Sequence, residues 1–549
     1  MVVVALENAT KLEAAEVQSL AQGAGISLPD KDIDDWCVLL GSFEDSAQSV
    51  LKEDDCLPIP DPKVYTRTDI YVPEDNNKGG WATRCTVKST APTSDRLGGC
   101  TVAVKDNTAV AGVRCLNGLP PVDGEWIPAY DATIITRVLD AGGIIAGKAA
   151  CENACMECLS NTSYTGAILN PYSDNHGCGG SSSGSARLVA VGAVDMALGG
   201  DQGGSIRIPS AFCGIVGLKP TFGLVPYTGI LGHQSTFDHA GPMTKNVRDN
   251  ALLLEVIAGP DGRDDRQPAY LPPQSLRFSS ALDDFLASKP KDQLLQGFKI
   301  GVLKEGFDSK EMDPNIANAN YSAIEDLKAL GAEIVEVSVP SHIRHITTWM
   351  CSLPLIGCRQ GILGDTTGRK QLEMTDRGVT AAPAMGPSAS ARLSQKAFDS
   401  FGPGGQSLYL RYLYVQEKYG ASLHAKCTNL LYKATQEYDA VLATVDVLVM
   451  PTVPMPALSI APFAGAPVAG PLETISYPIG IVNNTAQFDA TGHPALSIPV
   501  GFVPAADDPA VKLPAGLQIV GKRFEDLTCF KVGAAWEQSK DWKTLVFEN

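Results

Sequence analysis

Apolar side chains in the N-terminal part of the sequence recur at spacings of three and four, as on one face of an α-helix. The stripe consists of Ile33, Trp36, Leu40, Phe43, Ala47 and Val50. A shorter helix is predicted before it, because Thr10 and Glu13 have the spacing of a capping box and Gly23 is a typical stop. A proline-rich connector follows at 57–62. We therefore predict a helical region over residues 1–75, whose apolar face packs on the main body or on a second copy of the chain.

Strand and helix patterns alternate from about residue 98 onwards. Residues 101–104 are β-branched or apolar and lead to Lys105, which is typical of a short buried strand. The next helix is predicted to be capped by Asp131 and to end at Gly142, and a second strand begins at Ile144.

The same alternation returns later, with a strand at 298–303, a helix at 316–330 and a strand at 333–339. Such alternation is typical of a mostly parallel sheet wrapped by helices. The expected fold class for residues 76–549 is therefore α/β, with a central mixed, largely parallel β-sheet flanked by helices. The small α-helical N-terminal region precedes it.

Three further segments are assigned from their composition. Residues 440–450 are apolar but contain Asp446, so we predict a buried strand and not a membrane span. Residues 262–274 and 381–394 are rich in proline, glycine or serine and are predicted to be long loops. The second loop has two interpretations, an active-site lid or a plain surface insertion.

The chain has 549 residues, a hydrophobic content of 44% and a formal net charge of −17. This composition is typical of a folded protein with a sizeable core. An acidic surface repels phosphate backbones and anionic lipid headgroups, so we expect neither nucleic acid nor a membrane as a partner. The first residues lack the basic segment of a signal peptide. Fourteen cysteines without an export signal indicate thiols in a reducing compartment, and we predict a cytoplasmic protein.

Two glycine-rich segments carry the chemistry that we expect of this chain. Residues 177–186 read Gly-Cys-Gly-Gly-Ser-Ser-Ser-Gly-Ser-Ala, and residues 199–207 read Gly-Gly-Asp-Gln-Gly-Gly-Ser-Ile-Arg. Dense glycine lets the backbone approach a ligand closely. The second segment follows a predicted strand and leads into a helix, so its N–H groups can converge on one point, as an oxyanion hole requires.

Serine is a weak nucleophile and needs a neighbouring base. Neither glycine segment contains any of the seven histidines. Lys105 ends a predicted buried strand, where desolvation lowers the pKa of an ammonium group toward that of a usable base. A lysine after a strand is also common at the surface with its amine in solvent, so the residues alone leave both interpretations open.

Taken together, these segments resemble the amidase signature family. Its marker is a Gly-Gly-Ser-Ser-Gly-Gly-Ser-type loop, then a strand, then Gly-Gly-Ser-Ile-Arg, which correspond here to residues 179–185 and 203–207. Further blocks that resemble the family lie at residues 102–106, 213–226, 491–499 and 513–521. The blocks occur in the family's order and cover the chain from about residue 75 onwards, which makes the resemblance specific.

The resemblance implies the amidase signature fold and a Ser–cis-Ser–Lys triad. Ser205 would be the nucleophile, Ser181, preceded by a cis peptide bond, would relay the proton, and Lys105 would be the base. The oxyanion would be held by the backbone N–H groups of Gln202, Gly203, Gly204 and Ser205. Attack on the amide would give an acyl-enzyme that water then hydrolyses.

The resemblance also implies a small-molecule amide or carbamate substrate, no cofactor, no metal and a homodimer. Further candidates for lining the site are Cys155, Met156, Ser182 and His239. Acyl specificity is expected to lie in loops between residues 340 and 480, whose aromatic residues include Trp349, Tyr409, Tyr412 and Tyr477.

Two positions depart from the family's pattern. Gly200 stands where members often carry threonine, so a hydrogen bond near the nucleophile must be missing or replaced. Ser183 stands where glycine is common. Asp106 adjoins Lys105, but successive strand side chains face opposite ways, so we interpret it as structural.

Other interpretations compete with the triad. Residues 180–184 fit Gly-x-Ser-x-Gly, the nucleophile elbow of α/β-hydrolase esterases, with Ser182 at its centre. That hypothesis leaves the second glycine segment unexplained.

Two further patterns are typical of metal sites. An iron–sulfur spacing is present at Cys151, Cys155 and Cys158, and a histidine pair at His233 and His239. Both lie in segments that resemble family blocks without metal ligands, so we predict packing cysteines and hydrogen-bonded histidines.

The family contains hydrolases that work alone and amidotransferase components that act only with a partner. The partner-dependent branch holds glutamine with an acidic residue before the block that begins at Phe488, and residues 481–488 contain no acid. We therefore expect a free-standing amidase that acts on carbon–nitrogen bonds, and the alternative is a partner-dependent amidotransferase component.

Overall fold

The structure is a computed structural model, and it describes residues 10–121, 125–364, 369–372, 393–460 and 470–548. The loop predicted at 381–394, with its two interpretations, therefore lies outside the described residues except for its last two positions. None of the helices in the described ranges combines the length and the apolar character needed to cross a membrane.

The chain forms two compact units, Met1–Pro58 and Ile59–Asn549. The first unit contains helices α1 (Ala14–Gly23) and α2 (Ile33–Val50). The boundary lies earlier than the predicted residue 75 because Tyr65–Tyr71 is a strand of the main sheet. Helix α1 ends at Gly23, as the sequence predicts.

Within the first unit, the apolar core is smaller than the predicted stripe. Val17, Ile33 and Cys37 are buried together, whereas Trp36, Phe43 and Val50 of the stripe are exposed. The predicted capping box does not form. Thr10 instead donates its backbone N–H and its hydroxyl to Asp45, and Glu13 stands at the helix start without a side-chain cap.

Fourteen strands and thirteen helices of at least one turn are described in the second unit. The strands are β1 (Tyr65–Tyr71), β2 (Trp81–Ser89), β3 (Thr101–Lys105), β4 (Ile144–Ala149), β5 (Leu169–Asn170), β6 (Ser173–Gly177), β7 (Met196–Asp201), β8 (Val216–Lys219), β9 (His239–Thr244), β10 (Lys299–Leu303), β11 (Glu333–Val337), β12 (Val447–Pro451), β13 (Ala495–Pro504) and β14 (Lys512–Gly521). The helices are α3 (Thr133–Asp140), α4 (Ser183–Ala190), α5 (Arg207–Cys213), α6 (Val247–Ile257), α7 (Phe278–Ala287), α8 (Pro314–Ala329), α9 (His342–Gly357), α10 (Gln395–Ser400), α11 (Pro403–Lys418), α12 (Ala421–Leu442), α13 (Pro471–Ser476), α14 (Ala486–Thr491) and α15 (Asp526–Ser539).

Twelve of the strands form one mixed sheet in the order β1-β2-β4-β3-β7-β9-β8-β13-β14-β12-β10-β11. The α/β class and the central mixed sheet are confirmed. The parallel pairs are β4 with β3, β3 with β7, β12 with β10 and β10 with β11. The other seven neighbours in this order are antiparallel, so parallel pairing is confined to two three-stranded blocks.

Helices cover both faces of the sheet. Alternate residues of β3 show this, because Val102 and Val104 belong to one apolar cluster and Ala103 to another. The first cluster includes residues of α3, α6, α7, α8 and α15, and the second includes residues of α4. The fold is therefore a layered α/β arrangement with the sheet at its centre.

Most of the strand and helix predictions are confirmed, including the strands that became β3, β4, β10 and β11 and the helix that became α8. Two local predictions are wrong. Residues 440–450 are not one strand, because α12 continues to Leu442 and β12 begins at Val447. Asp131 does not cap α3, because its carboxylate accepts from the Ala111 N–H and pairs with Arg67.

The block of β4, β3 and β7 places three chain segments at one edge of the sheet. All three strands run parallel, so their carboxyl ends meet there. Lys105 ends β3, Asp201 ends β7, and the segment from Cys151 to Cys155 follows shortly after β4. Clefts at the carboxyl ends of parallel strands are the usual ligand sites of such sheets.

Candidate functional site

Lys105 and Ser181 are in direct contact at this edge. The Lys105 Nζ donates a 2.7 Å hydrogen bond to the Ser181 Oγ and a 3.3 Å bond to the Gly200 carbonyl. Both side chains are fully buried. None of the described carboxylates forms an ion pair with Lys105, whereas the neighbouring buried Lys148 pairs with Asp106 at 3.2 Å. The structural role predicted for Asp106 is thereby supported.

The Gly180–Ser181 peptide bond is cis, as the resemblance implies. Two backbone bonds hold the loop around it. The Glu152 N–H donates to the Ser181 carbonyl, and the Ser182 N–H donates to the Ser205 carbonyl, both at 3.2 Å. The two glycine-rich segments therefore lie side by side.

Asp201 shapes the turn that carries Ser205. Its carboxylate accepts the N–H groups of Gly204 at 2.6 Å and Ile206 at 3.0 Å. Ser205 lies between these two anchored residues and is partly exposed, whereas the residues on either side of it in the turn are buried. The turn thus presents the Ser205 side chain and withdraws the rest of its length.

The four N–H groups predicted to hold an oxyanion are not equivalent. The Gly204 N–H is already bonded to Asp201. In the part of the chain that the structure describes, the N–H groups of Gln202, Gly203 and Ser205 donate to no protein acceptor. Three converging donors of this turn are therefore available to an oxygen that carries negative charge.

Trp349 of α9 covers this turn. Its indole Nε1 donates a 3.0 Å hydrogen bond to the Gln202 carbonyl. The Gly203 carbonyl accepts a 2.6 Å bond from the Thr485 hydroxyl. Both bonds hold the carbonyls of the turn away from the site, which leaves its N–H groups facing inward.

Arg207 is a fully buried cation that binds four groups. Its guanidinium donates to Asp201 through two nitrogens at 3.0 Å, to Asp489 at 2.6 Å, and to the Thr485 carbonyl and the Gln518 side chain at 2.9 Å. Burial, and after it the nearby Asp201 charge, raises the pKa of Asp489 well above its usual range. Asp201 has its pKa lowered, because Arg207 and several hydrogen bonds outweigh its burial. One carboxylate and one carboxylic acid thus share the single cation.

The two departures from the family pattern are both accommodated. At Gly200, the backbone N–H and carbonyl bond the Ser182 hydroxyl at 3.2 and 3.1 Å. At Ser183, the extra hydroxyl bonds the Glu152 carboxyl at 3.3 Å. Because the Ser182 hydroxyl is buried and bonded on both sides to Gly200, it is poorly placed to act as a nucleophile.

Comparison with known proteins now decides the family. A family model described as Amidase matches residues 80–530. The chain belongs to the amidase family. Family membership places it among enzymes that act on carbon–nitrogen bonds.

Individual relatives fall into two kinds. An enantioselective amidase of Rhodococcus rhodochrous is 37% identical over 488 residues, which are 87% of this chain and 88% of that protein. The amidase-like chain of the glutamyl-tRNA(Gln) amidotransferase of Methanosarcina acetivorans is 33% identical, over 82% of this chain and 86% of the relative. The crystal structure of the corresponding chain of Thermotoga maritima superposes with a TM-score of 0.60 at 26% identity, covering 80% and 83% of the two chains.

The remaining predicted residues of this amidase are distributed unevenly. The sulfur of Cys155 lies within hydrogen-bonding reach of Lys105 and Ser181. Met156 packs into an apolar cluster with Tyr409 and Tyr412, which are therefore core residues and do not line the cleft by that contact.

His239 lies behind the Ser205 turn. Its Nδ1 is 2.7 Å from the Phe237 carbonyl and 3.5 Å from the Asp489 carboxyl, and burial holds its pKa well below the ordinary value. His233 is the histidine influenced by the site, since burial and the Lys105 charge lower its pKa to about 4. Among the described residues, neither the two histidines nor the three cysteines belong to a cluster suited to a metal ion.

Glu152 and Trp349 contact the site segments closely. Burial raises the pKa of Glu152 to about 7, although Thr162 and Ser183 donate hydrogen bonds to it. The sequence carries no chemical signal for Glu152, because a lone acid after a strand has no distinctive spacing. Trp349 lies within the region expected to form the acyl pocket, but no pattern distinguishes it from the other aromatic residues there.

We expect Gly203→Ala to lower kcat/KM by about 10- to 100-fold, because a displacement of about 1 Å at a catalytic turn has effects of this size. An added Cβ would lie 2.6 Å from the Trp349 ring, and moving the ring breaks its bond to Gln202. Gly200→Ala is the matched control, since nothing lies closer than 3.6 Å to its Cβ and we expect most activity to remain. Ammonia release from a primary amide measures both. Equal losses would contradict the role of Trp349.

We expect Glu152→Gln to reduce the loss of stability between about pH 4.5 and pH 7. The folded state holds the Glu152 proton up to about pH 7, and the unfolded state releases it near 4.5. Wild-type stability from this group is therefore fully present below pH 4.5 and declines as the pH rises to 7, by about 3 kcal/mol. Urea unfolding at pH 5 and pH 7.5 measures the difference.

Glutamine keeps one acceptor for Thr162 and supplies a donor for Ser183, so the hydrogen bonds of Glu152 are preserved. Glu325→Gln is the control, because that carboxylate is exposed. An unchanged pH dependence in Glu152→Gln would show that the carboxyl is ionised in the folded amidase at pH 5.

Proposed function

We propose that this amidase hydrolyses the carbon–nitrogen bond of small amides with Ser205 as nucleophile, Ser181 as proton relay and Lys105 as base. The observation that carries the proposal is the 2.7 Å hydrogen bond between the Lys105 Nζ and the Ser181 Oγ. It lies at the sheet edge where the turn presents Ser205. Serine needs such an activating partner to attack a carbonyl.

The reaction begins with neutral Lys105 accepting the Ser181 proton while Ser181 accepts the proton of Ser205. The Ser205 oxygen attacks the amide carbonyl, and the carbonyl oxygen becomes negatively charged. Ser181 then gives a proton to the leaving amine, the carbon–nitrogen bond breaks, and an acyl-enzyme remains. Water, activated by the same pair, releases the carboxylic acid and restores Ser205.

The oxyanion is stabilised by the N–H groups of Gln202, Gly203 and Ser205. These donors are fixed before substrate binds, because Asp201, Trp349 and Thr485 hold the turn from behind. Fixed dipoles that need no rearrangement are an effective way to stabilise charge in a transition state. Gly204 contributes through its bond to Asp201 and not through the oxyanion.

Small amides, with esters, anilides and carbamates as further candidates, are the proposed substrates, and no cofactor takes part. The likeness to an enantioselective amidase supports a hydrolase that works alone. The likeness to amidotransferase chains supports the second candidate, a chain that acts only with a partner. The absence of an acid in residues 481–488 favours the first.

The homodimer and the cytoplasmic location stay predictions of the same proposal. No disulfide is formed by the described cysteines, which is compatible with a reducing compartment. Light scattering of the purified chain measures the oligomeric state directly.

The test is turnover by the purified chain alone. Primary amides, anilides and carbamates are supplied one by one, and ammonia or amine release is measured with and without hydroxylamine. Release by the lone chain, with formation of a hydroxamic acid when hydroxylamine is present, is expected from a free-standing hydrolase with an acyl-enzyme. A well-folded chain without turnover on the whole panel would contradict the proposal and favour the partner-dependent candidate.

A further inference from the structure

Cys155 is a nucleophile beside the triad that the proposed mechanism does not use. Its sulfur lies within hydrogen-bonding reach of Cys151, Lys105 and Ser181, and the thiol donates a 3.1 Å bond to the Asn117 side-chain oxygen. The charge of Lys105 therefore acts on two side chains, the relay serine and this cysteine.

The backbone holds Cys155 in this position. Ala154 and Cys155 both have left-handed φ angles, 49° and 60°. The Ala154 N–H donates to the Asn117 carbonyl and the Cys155 N–H donates to the Glu152 carbonyl, each at 2.9 Å. Non-glycine residues adopt this conformation only when surrounding contacts impose it, and such positions cluster at functional sites.

The electrostatic surroundings distinguish Cys155 from the other thiols near it. Hydrogen bonding from Cys151, followed by the charge of Lys105, outweighs burial and lowers the pKa of Cys155 to about 6. Its neighbours behave in the opposite way, since the pKa of Cys151 is raised and that of Cys158 is raised to about 13. Cys155 is also partly exposed, whereas Cys151 is buried. A stabilised and accessible thiolate is the reactive form of cysteine.

We propose that Cys155 is an oxidative modification site of this amidase, which reacts with hydroperoxides and is then joined to Cys151 by a disulfide bond. The modification itself does not depend on the proposed function. Its consequence, reversible loss of amide hydrolysis, does rest on the proposed function, because it acts through Lys105 and Ser181.

The steps balance with a hydroperoxide as the only oxidant. The Cys155 thiolate attacks the outer peroxide oxygen, the O–O bond breaks, and an alcohol or water leaves after protonation. The sulfur is now a sulfenic acid. The Cys151 thiol attacks that sulfur, an S–S bond forms, and water leaves. A dithiol reverses the reaction by two thiol–disulfide exchanges.

Oxidation changes the surroundings of the base. The disulfide removes the Cys155 hydrogen-bond partner of Lys105 and Ser181, and it draws the 151–155 segment toward Cys151. Because Glu152 in this segment binds the Ser181 carbonyl, the relay serine moves with it. We expect at least a tenfold loss of amide hydrolysis in the oxidised protein.

The experiment maps oxidation on the whole chain by peptide mass spectrometry after treatment with hydrogen peroxide. The variants are Cys155→Ser, Cys151→Ser and, as control, Cys351→Ser, which removes an exposed thiol of α9. Amide hydrolysis is followed in parallel, and each protein is compared with its own untreated sample. The mass measurement on the wild type needs neither an active enzyme nor a variant that folds.

In the wild type and in Cys351→Ser, we expect a Cys151–Cys155 disulfide that forms before oxidation at Cys351 and that dithiothreitol reverses together with the activity loss. In Cys151→Ser, Cys155 is expected to proceed to the sulfinic acid, which dithiothreitol does not reverse. In Cys155→Ser, the treatment is expected to leave the remaining activity unchanged.

Oxidation of Cys351 ahead of Cys155, or a Cys155 that stays reduced while other thiols react, would overturn the modification site. A complete Cys151–Cys155 disulfide with undiminished hydrolysis would overturn its effect on catalysis. If the untreated wild type hydrolyses no amide, the proposed function fails, and the mass spectra alone decide on the modification site.

Discussion

Ser205→Ala is expected to lower kcat for amide hydrolysis by at least about 10⁴-fold, since removal of a serine nucleophile has effects of this order. The side chain lies on the turn between two residues anchored to Asp201, and its own hydroxyl has no structural partner among the described residues. We therefore expect the variant to unfold at the same urea concentration as the wild type. Ammonia release, followed to a single turnover, is the measurement.

Ser182→Ala is the matched control for the competing nucleophile. The Ser182 hydroxyl binds both backbone groups of Gly200 and is buried, so its loss is expected to cost about 1–3 kcal/mol of stability. Hydrolysis is expected to persist in this variant. Full activity in Ser205→Ala together with none in Ser182→Ala would instead support the nucleophile elbow of an α/β-hydrolase.

Arg207→Met is expected to lower the free energy of unfolding by about 3–5 kcal/mol, the usual effect of removing one partner from a buried ion pair. Methionine fills part of the space but leaves the Asp201 carboxylate buried without its cation. Asp201 holds the Ser205 turn, so hydrolysis is expected to fall as well. Urea unfolding and ammonia release are measured on the same preparation.

Arg248→Met provides the comparison, because Arg248 pairs with Asp283 at 3.3 Å on the surface and both side chains are 57% exposed. Exposed pairs contribute between 0 and about 1 kcal/mol. Similar losses of stability in the two variants would contradict the interpretation of Arg207 as the centre of a buried network.

The layered fold and the main site segments could be predicted from the sequence because both depend on local patterns. Alternating strand and helix signals located β3 and β4, and glycine density located the two loops beside them. Lys105 is identified by its place in a family block and not by periodicity. Its contact with Ser181 joins positions 76 residues apart, which no local pattern encodes.

The antiparallel part of the sheet could not be predicted in this way, since strand–helix alternation reports only crossover connections. β13 and β14 follow each other in the chain and pair as a long antiparallel hairpin, which carries no helical signal between its strands. Local capping rules failed for a related reason. Thr10 and Asp131 have the composition of caps but bind partners far away in sequence.

The charged network around Arg207 was also out of reach of the sequence. Family blocks place the arginine after the nucleophile, but they do not show which groups it binds. Its partners on α14 and β14 become visible only when the chain is folded. The ionisation of Glu152 and Asp489 depends on burial, which the sequence does not specify for a single acid.

The long reach of Arg207 has a consequence for the order of events during synthesis. Its partners lie 278, 282 and 311 positions further along the chain. Contacts of such large sequence separation form late, since loop closure must be completed first. While the ribosome has released only the β3–β7 segments, the Ser205 turn lacks the groups that fix it. The enzyme therefore gains a competent nucleophile only near the end of translation, and enzymatic activity should be among the last properties to appear when the denatured chain refolds.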